Sequence, residues 1–355
     1  MKVKIGDLTN IKTGKLDANA SSEDGQYPFF TCSREPLKIS TYSYDCECVL
    51  VAGNGDLNVK YYKGKFDAYQ RTYIMEDNGS GKLYIPYLYY FMEAYIDELR
   101  KQAIGGVIKY IKLGNIADAM IELPSIDNQK FIVDILGKVK EILDKRNAEI
   151  SALDALIKAR FVEMFGDCGN MVSMNDLCLI ITDGTHQPPK FQETGIPFIL
   201  VSNLSNNTVT YNTEKYISDE TYNELYKRTP IEQGDLLLST VGSYGHPAVV
   251  TENIKFLFQR HIAYLKPRRE LVNSFYLHGA LLAPDGQRQI EEKVKGIAQK
   301  TLNLSDIRKI MIPLPKLEEQ NAFADFVKQV DKSKLLSLIK LLEQLITYLY
   351  NVFII

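Results

Sequence analysis

The sequence is poor in the residues that mark several protein classes. It contains no Trp, four His and five Cys, and no two Cys form a CxxC pair. These numbers argue against a zinc site or a disulfide scaffold, and an odd Cys count fits a reducing compartment. Lys and Arg number 42 against 44 Asp and Glu. A free-standing protein that coats DNA needs a cationic surplus, so that class is disfavoured, although local basic faces remain compatible.

Long apolar runs are also scarce. The first ten residues, MKVKIGDLTN, lack the apolar segment of a signal peptide. The strongest candidate for a membrane span is the final stretch, LLSLIKLLEQLITYLYNVFII, but Lys340, Glu343 and Gln344 lie near its middle. Charged and amide side chains are costly in hydrocarbon, so we expect no membrane span. With 355 residues, of which 45% are apolar, the chain is long enough for two or three globular domains.

Catalytic motifs are missing from the sequence as well. It has neither a GxxxxGK[ST] loop nor a GxGxxG motif after a strand, and its His residues share no ligand spacing. Asp285, Glu291 and Lys293 loosely resemble the carboxylate and lysine set of metal-dependent nucleases, but the segment is more typical of a charged helix. Glu318 and Glu319 likewise suit a helix N-terminus. We therefore expect a non-catalytic chain, with a stand-alone nuclease or methyltransferase as a less favoured alternative.

Internal repetition is the clearest positive feature of the sequence. A shift of 169 residues aligns Pro28-Phe29 with Pro197-Phe198, and a shift of 189 aligns Gln70-Arg71 with Gln259-Arg260. A shift of 191 aligns six residues of the first half with six identical ones of the second, which are Leu113, Ile116, Met120, Ile121, Leu123 and Pro124 with Leu304, Ile307, Met311, Ile312, Leu314 and Pro315. An ordered series of matches indicates two diverged copies of one unit.

Each copy is predicted to contain a mixed domain and a long helix. The mixed domains cover 1–126 and 169–317, and the helices cover 127–168 and 318–355. Apolar residues at alternating spacings of three and four indicate that each helix pairs with another helix. The predicted fold is therefore α+β, with two mixed domains and an antiparallel coiled coil whose helices are each nearly 60 Å long, at ~1.5 Å per residue. The predicted seam residues are Leu136, Val139, Leu143, Ile150, Leu153, Ile157, Leu335, Leu338, Leu342, Leu345 and Leu349.

Polar loops that follow the apolar strands are the candidate binding residues. Arg suits guanine, Gln suits adenine, and small residues let a backbone approach a phosphate closely. Plain turns, a β-hairpin turn or surface ion pairs would explain the same patterns. In the first copy the candidates are Lys12, Thr13, Lys15, Ser33, Arg34, Asn54, Gln70 and Arg71. In the second copy they are Thr182, Asp183, Gly184, Thr185, His186, Ser202, Asn203, Thr240, Gly242, Ser243, Tyr244, Gln259 and Arg260.

Several of these segments resemble a known family. DGTHQPPKF, IPFILVSNL, GDLLLSTVGSYGHPAVV, FQRHIAYLKP and KGIAQKTLNLSDIRKIMIPLPKLEEQ are similar to segments of the specificity subunits of Type I restriction-modification systems. The resemblance extends over essentially the whole chain. The first copy departs from the pattern, since it has Lys12, Thr13, Gly14 and Lys15 near the position of DGTH.

The resemblance implies a division of labour. Each mixed domain would be a target recognition domain that reads one half of a split sequence in double-stranded DNA, and the paired helices would set the spacing. Expected partners are two methylation subunits, which methylate adenine with S-adenosylmethionine, and restriction subunits that use ATP and magnesium. This chain would hold no cofactor or metal and would act in phage defence, in a bacterial or archaeal cytoplasm. An orphan DNA-binding or assembly protein of the same architecture is the alternative.

Overall fold

The structure, a computed structural model, describes residues 2–296 and 299–353, with side-chain surroundings described up to residue 345. Its contacts divide the chain into two compact units, 1–144 and 145–355. The boundary between the units falls inside the first long helix.

Unit 1 is built on one mixed sheet. Its strands are β1 (Lys2–Lys4), β2 (Thr9–Thr13), β3 (Tyr27–Phe30), β4 (Leu37–Ile39), β5 (Tyr44–Ala52), β6 (Val59–Ala68), β7 (Thr72–Asp77) and β8 (Met120–Glu122). Its helices are α1 (Ile85–Gln102), α2 (Leu113–Ala117) and the first half of α3 (Ile126–Phe165). The six-stranded sheet has the order β2-β7-β5-β6-β3-β4, and β1 pairs with β8 in a separate two-stranded sheet.

The central strand β5 is buried on both faces. Val49 and Val51 point towards α1, whereas Cys48 and Leu50 pack with Phe66 in a smaller cluster on the opposite face. This division follows from the alternation of side chains along a strand. Helix α1 covers the first face with Ile85, Leu88, Met92 and Leu99, whose spacing of three, four and seven places them on one side of the helix.

Unit 2 repeats this plan with a divided sheet. Its strands are β9 (Met171–Ser173), β10 (Cys178–Asp183), β11 (Ile196–Ile199), β12 (Tyr216–Ile217), β13 (Leu236–Ser239), β14 (Pro247–Val249), β15 (Leu257–Phe258), β16 (Ile262–Pro267) and β17 (Met311–Pro313). Its helices are α4 (Met174–Leu177), α5 (Asp219–Leu225), α6 (Ser274–Leu282), α7 (Pro284–Lys293), α8 (Leu304–Ile307) and α9 (Leu317–Phe353), with the second half of α3. The strand orders are β10-β16-β13-β14 and β12-β11-β15, and β9 pairs with β17.

The strand register confirms the duplication. In unit 1, β3 pairs in parallel with the end of β6, which places Phe30 beside Ala68. In unit 2, β11 pairs in parallel with β15, which places Ile199 beside Phe258. The short strands β14 and β15 together take the place of the long strand β6. The single sheet of unit 1 is therefore described as two sheets in unit 2.

A buried glutamine fastens the start of each long helix. The Oε1 atom of Gln129 accepts a hydrogen bond from the Tyr84 backbone N–H at 2.8 Å, and its amide nitrogen donates to the carbonyls of Lys82 and Pro124. Gln320 forms the same three contacts with the N–H of Asn273 and the carbonyls of Leu271 and Pro315. Both side chains are fully buried. The repeated glutamine therefore has a structural role in each copy.

The two long helices run antiparallel where they meet in unit 2. Arg146 donates to the Gln344 side chain at 3.2 Å, and Lys334 forms an ion pair with Asp154 at 2.7 Å. Nearer the sheets, the rings of Phe161 and Phe323 are 5.4 Å apart. Residue numbers rise along α3 as they fall along α9, which confirms the predicted antiparallel direction for this stretch.

The predicted seam differs in register. Among the predicted residues, Val139, Ile150, Leu153, Ile157 and Leu345 are half-buried, while Leu136, Leu143, Leu335, Leu338 and Leu342 are exposed. Between residues 331 and 344 of α9, the half-buried positions are instead Lys334, Ser337 and Leu341. Lys334 and Ser337 form hydrogen bonds or ion pairs with α3, so polar residues occupy places that the heptad pattern assigned to leucines.

The covered positions of α3 lie next to two of the predicted seam leucines. On α3, Ile135 is buried and Ile142 is half-buried, one residue before the exposed Leu136 and Leu143. The side chain of Leu349 lies outside the described residues. Within residues 2–296 and 299–353, each helix is either too short or too polar to span a bilayer.

Candidate nucleic-acid interface

Four loops meet at one end of the sheet of unit 1. The N–H of Gly14 donates to the Thr72 carbonyl at 3.0 Å, and the N–H of Gly53 donates to the Arg71 carbonyl at 2.7 Å. The loop that contains Cys32 joins them through a contact between its thiol and the same Arg71 carbonyl. The structure thereby brings together seven of the eight predicted residues of this copy, which are Thr13, Lys15, Ser33, Arg34, Asn54, Gln70 and Arg71.

Some side chains at this end already form hydrogen bonds or ion pairs within unit 1, and others do not. Arg34 forms an exposed ion pair with Asp56, and Gln70 donates to Asp17 at 2.6 Å. Lys15 and Arg71 are exposed and form no side-chain hydrogen bond or ion pair within the described parts of the chain. These two cations are therefore available to a phosphate or a base edge without breaking a contact.

Lys12 is the remaining candidate of the first copy, and it lies within β2. Its ammonium group is 2.9 Å from Glu76, and the hydrogen bond to that carboxylate raises the pKa of Lys12. The charge of Lys12 is therefore already matched by a neighbour on the adjacent strand β7.

Unit 2 gathers its loops in the same way. The N–H of Thr185 donates to the Phe258 carbonyl, and the N–H of Arg260 donates back to the Thr185 carbonyl, both at 3.1 Å. The N–H of Thr240 donates to the His261 carbonyl at 2.9 Å, just as Gly53 bonds Arg71 in unit 1. The backbone frame at this end is thus the same in both copies.

The close crossing of these loops requires glycine at one position in each copy. A Cβ atom on Gly14 would lie 2.1 Å from the Ala68 carbonyl oxygen, and one on Gly184 would lie 2.3 Å from that of Phe258. No side chain can be accommodated so close to backbone atoms. The Gly of the DGTH segment therefore serves packing and is buried, so it does not present a surface to a ligand.

The alignment of the two Gln-Arg pairs needs a correction of one residue. Tyr69 donates from its backbone N–H to the carbonyl of β3, at Phe30, whereas Gln259 donates to the equivalent carbonyl of β11. Tyr69 therefore matches Gln259, and Gln70 matches Arg260, at a shift of 190 residues. The two identical Gln-Arg pairs are therefore offset by one position when the copies are aligned by their backbone hydrogen bonds.

The acidic residue of the DGTH segment is held by two partners. One carboxylate oxygen of Asp183 accepts from Arg228 at 2.7 Å, and the other lies 2.9 Å from the His186 ring. The side chain of Asp183 is largely buried, while that of His186 is 53% exposed. Thr182 and Thr185 are half-buried. Arg228 lies 45 residues from Asp183 along the chain, so no local pattern in the sequence marks it as part of this site.

The side chains of two predicted residues of the second copy are largely buried. Asn203 is 7% exposed, and its amide bonds to Leu200, Thr210 and Asn212 within its own loop. Thr240 is 5% exposed. Burial disfavours a DNA contact through these two side chains, because a loop of polar residues must first satisfy its own backbone groups, and the contact stays a prediction.

The segment from 239 to 246 is a turn between the antiparallel strands β13 and β14. Gly242 has a positive φ of 74°, and its N–H bonds to the Lys300 carbonyl. Ser243 is exposed, and the half-buried ring of Tyr244 has the Lys300 ammonium 5.7 Å from its centre. The structure therefore agrees with the hairpin alternative, and the exposed Ser202 belongs to a separate loop.

A pocket of about 290 Å³ opens beside the loops of unit 2. Phe191 and Phe198 form apolar walls, while Lys215, Arg260 and His261 lie at the lining with Gln259. Burial and the neighbouring Arg260 lower the pKa of His261, and its neutral ring accepts a hydrogen bond from Arg260 at 3.3 Å. Such a lining combines apolar contact with donors suited to base edges.

The residues that loosely resembled a nuclease set lie on one helix, α7. Asp285 accepts from Arg288 and Gln289 within its own first turn, and Arg288 lowers its pKa. Glu291 and Lys293 belong to the last turn of the same helix. Within the described ranges, no group of three or more His, Cys, Asp or Glu side chains is arranged to hold a metal ion.

Comparison with known proteins places the chain in a family. The model of the Type I restriction modification DNA specificity domain matches residues 1–152 and 170–347. Because these segments cover most of the sequence, the chain belongs to that family.

Individual relatives match shorter parts. The chain is 37% identical to the Type I restriction enzyme EcoDI specificity subunit of Escherichia coli over 156 residues. This stretch covers 44% of this chain and 34% of that protein. It is 23% identical to the Type I restriction enzyme EcoBI specificity subunit of the same species over 276 residues. That stretch covers 69% of this chain and 58% of that protein. The matches thus span 34% and 58% of these relatives' lengths.

A solved structure has a similar fold. The crystal structure of a Type-I restriction-modification system S subunit from M. genitalium has a TM-score of 0.57 and 14% sequence identity, over 99% of this chain and 94% of that one. At this identity the likeness concerns the fold alone.

Proposed function

We propose that this chain is the sequence-specific DNA-recognition subunit of a Type I restriction-modification complex and that it reads a bipartite target. The observation that carries the proposal is the pair of loop clusters. Each copy gathers polar loops on the same backbone frame, in a chain of the specificity-domain family. A repeated frame with different side chains suits a protein that reads two different half-sites.

The equivalent positions support different base preferences in the two copies. Arg71 of unit 1 matches His261, and Gln70 matches Arg260, after the correction of register. Arg pairs best with guanine, and Gln pairs best with adenine, in the major groove. The two clusters would therefore favour different sequences, while exposed cations such as Lys15 would contact phosphates.

The long helices suit the role of a spacer. Helix α3 has 40 residues, which corresponds to about 60 Å at ~1.5 Å per residue. With ~3.4 Å per base pair, that length separates two half-sites by at most about 17 base pairs. Overlap with the recognition domains would shorten this distance to roughly one helical turn between half-site centres.

Partner subunits would supply the chemistry and further DNA contacts. We expect two methylation subunits that use S-adenosylmethionine, and restriction subunits that use ATP and magnesium for translocation and cleavage. The exposed leucines of α9, Leu335, Leu338 and Leu342, form an apolar stripe that suits docking of partner helices. Adenine methylation requires the base to leave the stack, so the complex must distort the duplex.

Methylation mapping tests the proposal directly. DNA from cells that carry this chain with its methylation subunit would be sequenced by a long-read method that detects methyl-adenine. Methylation of a split motif that disappears when this chain is deleted is the expected result. The absence of chain-dependent methylation in cells with an active methylation subunit would contradict it. Exchange of residues 1–126 or 169–317 with a related chain would then assign each half-site.

A further inference from the structure

A short hairpin projects from unit 1 beside its loop cluster. Ile104 and Tyr110 exchange backbone hydrogen bonds of 3.0 and 2.8 Å, and the segment between them turns at Gly105, which has a φ of 115°. A Cβ atom placed on Gly106 would meet nothing within 4 Å. The tip of this hairpin therefore stands clear of the rest of unit 1.

The tip of the hairpin is apolar. Val107 is fully exposed, and Ile108 is 64% exposed. A single exposed aliphatic side chain is ordinary on a protein surface. Here two neighbours lie together at the end of a projecting turn, and neither belongs to a hydrophobic cluster of unit 1. Folding of unit 1 does not account for their apolar character.

The base of the hairpin is bonded to the candidate interface. Tyr110 pairs with Asn54 as an antiparallel bridge, and the N–H of Gly55 donates to the Lys109 carbonyl at 2.9 Å. The N–H of Ile111 donates to the Gly53 carbonyl. Because Gly53 also bonds Arg71, the hairpin and the loop cluster share one backbone frame.

The surrounding charge suits a polyanion. Lys109 and Lys112 follow the tip and are exposed, as are Lys15 and Arg71 of the neighbouring loops. Apolar side chains flanked by cations are found where proteins insert a wedge among bases while Lys and Arg contact the phosphates. A protein partner would not by itself explain the position of the tip among the predicted base-reading loops.

We infer that Val107 and Ile108 form an apolar wedge that enters a groove of duplex DNA and contacts bases of the half-site read by unit 1. This inference rests on the proposed function. The contact is with the apolar surface of a base, either a thymine methyl group or the face of a partly unstacked base. In the sequence, the same shift of 191 residues places Ala298 and Gln299 opposite Val107 and Ile108. The adjacent Val and Ile are therefore specific to the sequence of the first copy.

The test uses the full complex and the target found by methylation mapping. A double variant, Val107→Ser with Ile108→Ser, is compared with wild type and with a Met120→Ser control. Met120 is 46% exposed on β8, so the control removes an apolar side chain from another part of the surface. We expect the double variant to bind the target about tenfold more weakly, with unchanged affinity for a duplex whose unit 1 half-site is scrambled.

Modified bases distinguish the two kinds of contact. If the wedge touches a thymine methyl group, replacing that thymine with uracil weakens binding of the wild type and has no added effect on the double variant. If the wedge unstacks a base, 2-aminopurine in the half-site brightens with the wild type and stays dim with the double variant. Either result supports the inference.

Three results would overturn the inference. In the first, the double variant keeps wild-type affinity and sequence preference. In the second, it loses methylation subunits, while the complexes that remain assembled bind the target normally, which would assign the tip to a protein contact. In the third, the wild-type complex shows no preference for the mapped sequence, which would refute the proposed function and the inference with it.

Discussion

Replacement of Gln320 by Leu measures how much the three hydrogen bonds of this side chain, at the start of α9, contribute to the free energy of unfolding. The wild-type side chain is fully buried and forms three hydrogen bonds, to the Asn273 N–H at 2.9 Å and to the carbonyls of Leu271 and Pro315 at 3.1 and 2.9 Å. Leu has a similar size but no polar atom. The substitution therefore removes all three bonds and leaves little change in volume.

The expected loss follows from these bonds. Each hydrogen bond contributes about 0.5–1.5 kcal/mol net, and a buried group left without a partner costs up to about 3 kcal/mol. The middle of the net range is about 1 kcal/mol for each of the three bonds. We expect the free energy of unfolding to fall by about 3 kcal/mol, which corresponds to a decrease in Tm of roughly 6–12 °C for a unit of this size.

Urea unfolding and amide hydrogen exchange measure the effect. The Asn273 amide should exchange faster in Gln320→Leu, and the Tyr84 amide should do so in Gln129→Leu, because the two glutamines form the same contacts. Gln187→Leu, in an exposed loop, controls for the change in composition. If the free energy of unfolding of Gln320→Leu stays within about 0.5 kcal/mol of wild type, as for most surface substitutions, the three hydrogen bonds do not stabilise the fold.

Three other predictions concern the interface, pH and the long helices. Arg260→Ala should weaken target binding by about 1–3 kcal/mol if the side chain contacts a base edge, and unchanged affinity and preference in a filter-binding titration would remove it from the recognition set. Burial lowers the pKa of His278 below 6.5, so below that pH the unfolded chain takes up a proton that the folded chain does not. The contribution of neutral His278 to the free energy of unfolding should be fully present above pH 6.5 and fall by at most about 1.4 kcal/mol per pH unit below it. Urea unfolding at several pH values measures this slope, and an equal slope in His278→Gln would contradict the prediction. Leu338→Asp should leave the free energy of unfolding within about 0.5 kcal/mol but reduce co-purification of the methylation subunit, whereas Val330→Asp, at a position only 5% exposed, should cost several kcal/mol. Equal destabilisation by both would place Leu338 in the helix seam.

Much of the fold follows from local pattern. The apolar residues Ile85, Leu88, Met92 and Leu99 recur at helical spacing, and α1 forms there, while the apolar runs at Cys48 and Leu236 form β5 and β13. Residues 272–295 also have a helical pattern, and the structure divides this stretch into α6 and α7 before Pro284. Proline lacks the N–H that a continuous helix needs, so this division has a local cause.

The candidate site was only partly predictable. The loop residues Lys15, Arg71 and Arg260 carry a local signal, because polar residues after an apolar strand lie at the edge of a sheet. Asn203 carries the same signal but its amide is used within the protein. The difference depends on the folded path of the loop, which brings the Thr210 and Asn212 carbonyls to the amide, and residue types alone do not specify that path.

The sequence by itself determined the duplication, the alternation of mixed domains with long helices, and the family, because these depend on residue types at regular spacings. Tertiary structure alone decided which face of α9 is covered, where Lys334 pairs with Asp154 across the two helices. It also set the one-residue change in alignment that makes Gln70 of unit 1 equivalent to Arg260 of unit 2. It placed the hairpin tip at Val107 beside the loop cluster of unit 1. Each of these depends on hydrogen bonds and ion pairs between segments far apart in the chain, and such contacts leave no periodic trace in the sequence.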